Sequence, residues 1–282
     1  MKDKILNVFK NLKVIKVLMP GAQKEVFVVD YPPFGVCILK VIPASGIDRV
    51  EREVKIITEN SITHVPAIFE SSRFKIDSNE YLYIFEEYIN GCSLSDRLKQ
   101  GKLSLEEGVK LLETLLSVAM ELEMIGVVHR DIKPDNILVS KNNEYYLIDF
   151  GIARALKMTS LTNTHVAVGP HTPGYGAPEL FQYNKNEISI KADLFSIGVV
   201  VFQAVTGKHP FLDGSENDMA DVWYKTAAVI PYAILVDGDT QQLFMGLVST
   251  LMKQQISKRP PSARKAYDWL MTAKDTFVLR GK

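Results

Sequence analysis

The chain has 282 residues, 46% of them apolar and 23% charged, and its 33 Lys and Arg balance 33 Asp and Glu. That balance excludes a global electrostatic footprint for nucleic acid or an anionic membrane surface, and no apolar run approaches the roughly 18–20 residues of a membrane span. Cys37 and Cys92 stand far apart in no metal-like spacing, so a reduced, cytoplasmic compartment is expected.

The N-terminal stretch MKDKILNVFKNLKVIKV alternates charge with apolar residues and has no signal-peptide core. The first 85 or so residues read as strands with one helix. Val36, Ile38, Lys40 and Ile42 share a strand face, which sets a cation in an apolar row. In the next helix Val50, Glu53, Val54 and Ile57 fall at helical spacing, which sets a carboxylate in an apolar stripe, with Glu51 pointing off it. Buried charges need partners, and Lys40 and Glu53 supply each other's; the alternative is two snorkelling surface side chains.

Tyr81 to Phe85 reads as a strand, and Asn90-Gly91 breaks the chain after it. Ser104 followed by Glu106 and Glu107 signals a helix start, with Val109, Leu112, Leu116 and Ala119 on one face. The segment from Ala192 to Thr206 is apolar all round, as a fully enclosed helix would be. A last helix carries Ala263, Ala266, Trp269 and Leu270 at core-like spacing. With no repeat or long linker, one domain is expected over 1–282, β-rich in 1–86, connected by 87–91, and mainly helical in 92–282.

Three motifs carry chemistry. The run from His129 to Asn136 reads His-Arg-Asp-Ile-Lys-Pro-Asp-Asn; Asp149-Phe-Gly151 follows a strand-like Tyr146 to Ile148; Ala177-Pro-Glu179 comes later. Any one tripeptide is weak, and a lone Asp-Phe-Gly is usually a turn. In this order and spacing they resemble the eukaryotic-type serine/threonine protein kinase family over nearly the whole chain, with a form similar to its bacterial members.

The resemblance implies a bilobal α+β fold and transfer of the γ-phosphate of ATP, with Mg²⁺ or Mn²⁺, to Ser or Thr of protein substrates. Phosphoryl transfer asks a protein mainly for positioning and charge neutralisation. Asp131 matches the residue that accepts the hydroxyl proton, Lys133 the lysine at the γ-phosphate, and Asn136 and Asp149 the metal ligands. Lys40 matches the lysine at the α- and β-phosphates, held by Glu53. Val26, Ile38, Glu87, Ile89 and Leu138 match the adenine site. Asp193 matches the aspartate that fixes the catalytic-loop backbone, Arg259 the partner of Glu179, and His129 a structural residue beneath Phe150.

The phosphate loop and the position behind adenine depart from the family pattern. Of the three phosphate-loop glycines only Gly21 remains, with Met19 and Lys24 in the outer positions. Glycines let backbone amides approach phosphate closely; Lys24 either compensates with its charge or is a solvated lysine. The position behind adenine falls on Glu86 or, with a one-residue slip, on Phe85. With Glu86 there, Lys40 would stand between two carboxylates, and a balance between Glu53 and Glu86 is expected.

Thr162 and Thr164 are the candidate activation-loop phosphorylation sites opposite Arg130, unless the segment is only a solvated loop. Thr172 falls on the substrate side. Without a further domain in the sequence, control is expected from partners, this segment or the cleft. Two other readings stand beside an active kinase: an ATP-binding scaffold on the same fold, favoured by the depleted glycine loop, and a small-molecule phosphotransferase of the aminoglycoside type, disfavoured by Ala177-Pro-Glu179.

Overall fold

The computed structural model describes residues 2–19, 24–43, 47–77, 79–149, 174–181, 188–231 and 234–277. The chain forms two compact units, which divide after Asn90; Asp149 returns to the first unit.

The first unit is built on an antiparallel sheet of β1 (Lys13–Met19), β2 (Glu25–Tyr31), β3 (Gly35–Pro43), β4 (Ile68–Ile76) and β5 (Asn79–Glu87), in the order β1-β2-β3-β5-β4. Alternation along a strand sends successive side chains to opposite faces. Cys37, Leu39, Val41 and Phe85 therefore point to one face with Phe27 and Val29. Ile42, Leu82 and Ile84 point to the other, where Val50 and Val54 of helix α2 (Ile47–Asn60) cover them. Outside the stripe, Glu51 makes a two-pronged salt bridge to Arg73 of β4, at 2.9 and 2.7 Å.

Among the described residues two helices form before Asn90, where the sequence reading expected one. The extra helix, α1 (Lys2–Val8), is followed by a short turn, and Ile5, Phe9 and Leu12 are buried on the Phe85 face of the sheet. Their i, i+4, i+7 spacing is the signal, hidden by the charges between them. Phe9 sits edge-on to Phe85 and Tyr83, with centroids 5.2 and 5.0 Å apart. Phe85 is therefore committed to an aromatic cluster on the face opposite Lys40.

The second unit is mainly helical. Ser104 caps α4 (Leu105–Met124) in a reciprocal box with Glu107. Before α4 come β6 (Gly91–Ser93) and a single turn, α3 (Leu94–Leu98); between α4 and the next long helix lie a short strand pair, β7 (Ile137–Ser140) and β8 (Tyr145–Leu147), with β6 beside β7, and then α5 (Pro178–Phe181). Helix α6 (Ile190–Thr206) is enclosed almost all round, as its uniform apolarity requires. It packs against α4 and against α8 (Leu243–Leu251), with α7 (Met219–Ala228) before α8 and α9 (Ala263–Lys274) after it. Gly198 lets α6 meet α8 closely; a Cβ there would lie 2.9 Å from the Leu251 Cβ. In α9, Ala263, Ala266 and Leu270 are fully buried but Trp269 is 40% exposed, so its expected core role does not hold. It lies about 90° round the helix from the centre of the buried stripe. Among the described residues, no helix is long and apolar enough to cross a membrane.

His209 packs edge-on to Tyr175, and its Nδ1 accepts N–H bonds from Phe211 and Leu212 at 3.2 and 3.1 Å. Burial pushes its pKa down to about 4. An unfolded histidine takes up a proton near pH 6.5, so between those values the unfolded chain binds more protons and stability falls as pH falls. The expected loss from this group is about 3 kcal/mol, all of it below pH 6.5. Denaturant unfolding of the wild type and His209→Asn at pH 7, 5.5 and 4 checks it: the gap between the two must close or reverse as the pH drops, and a constant gap refutes it.

Candidate active site

In the first unit four charged side chains form an alternating chain. Lys40 Nζ lies 2.6 Å from Glu86 Oε1 and 2.9 Å from Asp149 Oδ1, and Lys24 Nζ lies 2.9 Å from Asp149 Oδ2. Strand register explains the first contact. Lys40 pairs across the sheet with Ile84, and Glu86 with Ile38, so Lys40 and Glu86 are diagonal neighbours on one face. Lys24, Lys40 and Glu86 are all buried. The solvated alternative for Lys24 therefore does not hold. Of the two candidates, Glu86 and not Phe85 shares the face of Lys40.

The electrostatics follow from this packing. Burial alone would push the Lys40 ammonium down, but Asp149 and Glu86 raise it above the ordinary lysine value. Burial raises the Asp149 carboxyl, yet Lys40 and Lys24 together hold it well below the usual carboxylate range. For Glu86, burial wins over the opposing pull of Lys40 and the carboxyl is raised. At an effective dielectric near 20, each close pair is worth about 4 kcal/mol of Coulomb energy before desolvation.

In the second unit the run from His129 to Asn136 is pinned at its start. Asp193, at the beginning of α6, accepts the backbone N–H of His129 at 2.7 Å and of Arg130 at 2.8 Å. These bonds hold Arg130 at φ 68°, a left-handed conformation that a non-glycine residue adopts only when its surroundings impose it. His129 is buried, with Nε2 3.1 Å from the Ile148 carbonyl, as a structural histidine would be.

Downstream, the Asn136 amide donates to the Asp131 carbonyl at 2.8 Å and to Asp131 Oδ2 at 3.0 Å, while Lys133 Nζ stands 3.4 Å from the same Oδ2. Asp131 is thereby oriented by a neutral donor and a cation. Further along, Arg259 makes a buried two-pronged bond to Glu179 at 2.6 and 2.9 Å, which anchors the Ala177-Pro-Glu179 segment.

The remaining candidates divide. Val26, Ile38 and Val28 form a small buried apolar cluster on the Lys40 face. Glu87 exchanges hydrogen bonds with the Ala67 backbone, through its N–H at 2.8 Å and its Oε2 at 3.3 Å. Ile89 is buried and Leu138 half-buried on β7. Gly21, Thr162, Thr164, Thr172, Phe150 and the Glu53 side chain lie outside the described residues. The sequence reading missed the Lys24–Asp149 pair. The residues are 125 positions apart, and no periodicity links them; the one available signal was a lysine in a glycine's place.

Each donor by itself suits a hard divalent cation: in the first unit Asp149 offers a carboxylate, and in the second Asn136 has its amide oxygen left, its nitrogen being engaged with Asp131. Two ammonium groups now stand on the two Asp149 oxygens, so positive charge is what this carboxylate is built to hold.

Comparisons with known proteins agree with this chemistry. A family model described as the protein kinase domain matches residues 36–269. The chain is 27% identical over 225 residues to a probable serine/threonine-protein kinase pknA2 of Bifidobacterium longum, across 79% of this chain and 28% of that one. It is 29% identical over 215 residues to a probable serine/threonine-protein kinase PknB of Lactococcus lactis, across 76% and 33% respectively. It is 28% identical over 279 residues to the serine/threonine-protein kinase pkn2 of Myxococcus xanthus, across 93% and 32%. The chain thus spans about a third or less of the length of these curated relatives.

Proposed function

The chain belongs to the protein kinase domain family, and from that premise we propose that it transfers the γ-phosphate of ATP to Ser or Thr hydroxyls of protein substrates. The observation that carries the reading is Asp131, whose carboxylate is held by the Asn136 amide and Lys133 on a backbone pinned by Asp193. A carboxylate fixed in this way can orient a hydroxyl and take its proton as the oxygen attacks. Lys133 is positioned to neutralise charge on the moving phosphoryl group. Lys40 and Lys24 supply cations for the other phosphates, and Gly21 supplies a backbone amide. Asn136 and Asp149 are the ligands for Mg²⁺ or Mn²⁺. When bound, that cation neutralises phosphate oxygens and orients the γ-phosphate for in-line transfer.

Val26, Ile38, Ile89 and Leu138, with Glu87 on the connector, take the adenine ring. The whole acts as one domain over 1–282, with the connector at 87–91. Thr172 belongs to the substrate side. The depleted glycine loop is the argument for an ATP-binding scaffold instead. The burial of Lys24 against Asp149 supports catalysis, because it adds a second cation beside the one Lys40 brings to Asp149.

Purified protein incubated with γ-labelled Mg-ATP and a Ser/Thr-containing protein acceptor is expected to move label to both. Mass spectrometry is expected to find phosphate on Thr162 or Thr164. Phosphate there adds roughly −1.5 to −2 charge, which Arg130 can clamp. The Thr162→Ala, Thr164→Ala double variant should transfer label more slowly. Full activity in that variant removes the loop switch, and no label on any protein at all removes the kinase reading.

A further inference from the structure

We propose that Glu86 is the positioning residue for Lys40, a carboxylate on a central strand that holds the phosphate-binding ammonium from within the sheet. The inference rests on the reading of Lys40 as a phosphate ligand. Competition between Glu53 and Glu86 is the expectation from sequence; the donor count gives Glu86 a different relation to Lys40.

An ammonium has three N–H donors. Among the described residues, Lys40 Nζ lies at ion-pair distance from two anions, Glu86 Oε1 at 2.6 Å and Asp149 Oδ1 at 2.9 Å. These contacts take at most two of its three donors, so among the described residues at least one is left for a phosphate oxygen and Lys40 can serve a nucleotide without leaving Glu86. The geometry favours this. Lys40 and Glu86 sit on β3 and β5, which hydrogen-bond directly to each other and are each flanked by another strand, so neither backbone lies at a sheet edge.

The two carboxylates on Lys40 differ in what else they do. Asp149 also accepts Lys24 through its second oxygen, and its oxygens are the ones a divalent cation would claim. When they turn to a metal, Lys40 loses one of its two described anions. Glu86 is the one that stays, and it keeps Nζ in place at the moment the phosphates need it. Leaving would also strand Glu86: it is buried, and a buried carboxylate without a cation is costly. Both halves of the pair therefore hold it together with the nucleotide present.

The test is nucleotide binding, which does not depend on turnover. Calorimetric titration of the full chain with Mg-ATP and with adenosine is run on the wild type, Glu86→Gln and Glu86→Asp. Glu86→Gln keeps the shape and removes the charge; Lys40 still has Asp149, so no buried cation is left alone. Mg-ATP is expected to bind about ten- to a hundredfold more weakly to Glu86→Gln, as loss of a charge-assisted bond implies, with adenosine unchanged within about twofold. Glu86→Asp keeps the charge on a stem one methylene shorter and is expected to fall between; it carries the test if Glu86→Gln does not fold. Tighter Mg-ATP binding in either variant would mean that Glu86 competes for Lys40 and would overturn the proposal. Equal weakening for adenosine and ATP would also overturn it, because that is a change of pocket shape. Absence of Mg-ATP binding by the wild type is a separate result, and strikes the nucleotide reading of Lys40 itself.

Discussion

Asp131→Asn is expected to lower the turnover of phosphoryl transfer by about 10²–10⁴-fold, the usual contribution of a positioned general base. The substitution is nearly isosteric. Asn136 can still donate to an amide oxygen at residue 131, the backbone remains pinned by Asp193, and Lys133 stays nearby. What is lost is the charge that accepts the hydroxyl proton. The loss should therefore appear in kcat, with KM for ATP little changed and the melting temperature within a few degrees. Single-turnover assays and a thermal melt on the same preparation check this. A variant that retains half of the wild-type turnover would show that Asp131 is not the proton acceptor.

Asp149→Asn is expected to be at least as damaging to transfer, by about three orders of magnitude, because groups that act as a unit fail together. It has a second signature that Asp131→Asn lacks. Asp149 is the anion between Lys24 and Lys40, and neutralising it leaves the buried Lys24 facing an amide and Lys40 with Glu86 as its one remaining described anion. A stability loss on the order of 1–3 kcal/mol is expected at neutral pH, as for hydrogen bonds to charged groups.

The sign of the pH dependence follows from the depressed carboxyl of Asp149. Its stabilisation is fully present above the unfolded value, near pH 4, and is lost as the pH falls further toward the folded value. Urea unfolding of wild type and variant should therefore differ most at neutral pH and converge below about pH 4. A variant as stable as the wild type at pH 7, with normal dependence on Mg²⁺ concentration, would show that Asp149 neither balances the lysines nor holds the metal.

Local features of this protein are written in its sequence because they depend on neighbours in the chain. The cap of α4 needs Ser104 and Glu107 three residues apart, and both are found in that role. The enclosed helix α6 shows in an apolar run with no polar face. The order of the three motifs was enough to suggest the family, since catalytic groups on short loops keep their spacing. Glu86 was legible too as one of two candidates, with Phe85, for the position beside Lys40.

Only the tertiary structure could decide the rest. Whether Glu86 or Phe85 faces Lys40 turns on the register of β5 against β3, where a slip of one residue exchanges the faces. The spacing of Ile5, Phe9 and Leu12 marks an apolar face, but that the sheet offers Phe85 and Leu39 to cover it is settled only by the fold. The Lys24–Asp149 pair joins the start of β2 to the end of the β8 loop. A contact of that sequence separation exists only when the whole unit has folded, because the chain entropy of closing so long a loop is repaid by packing elsewhere and not by the pair itself.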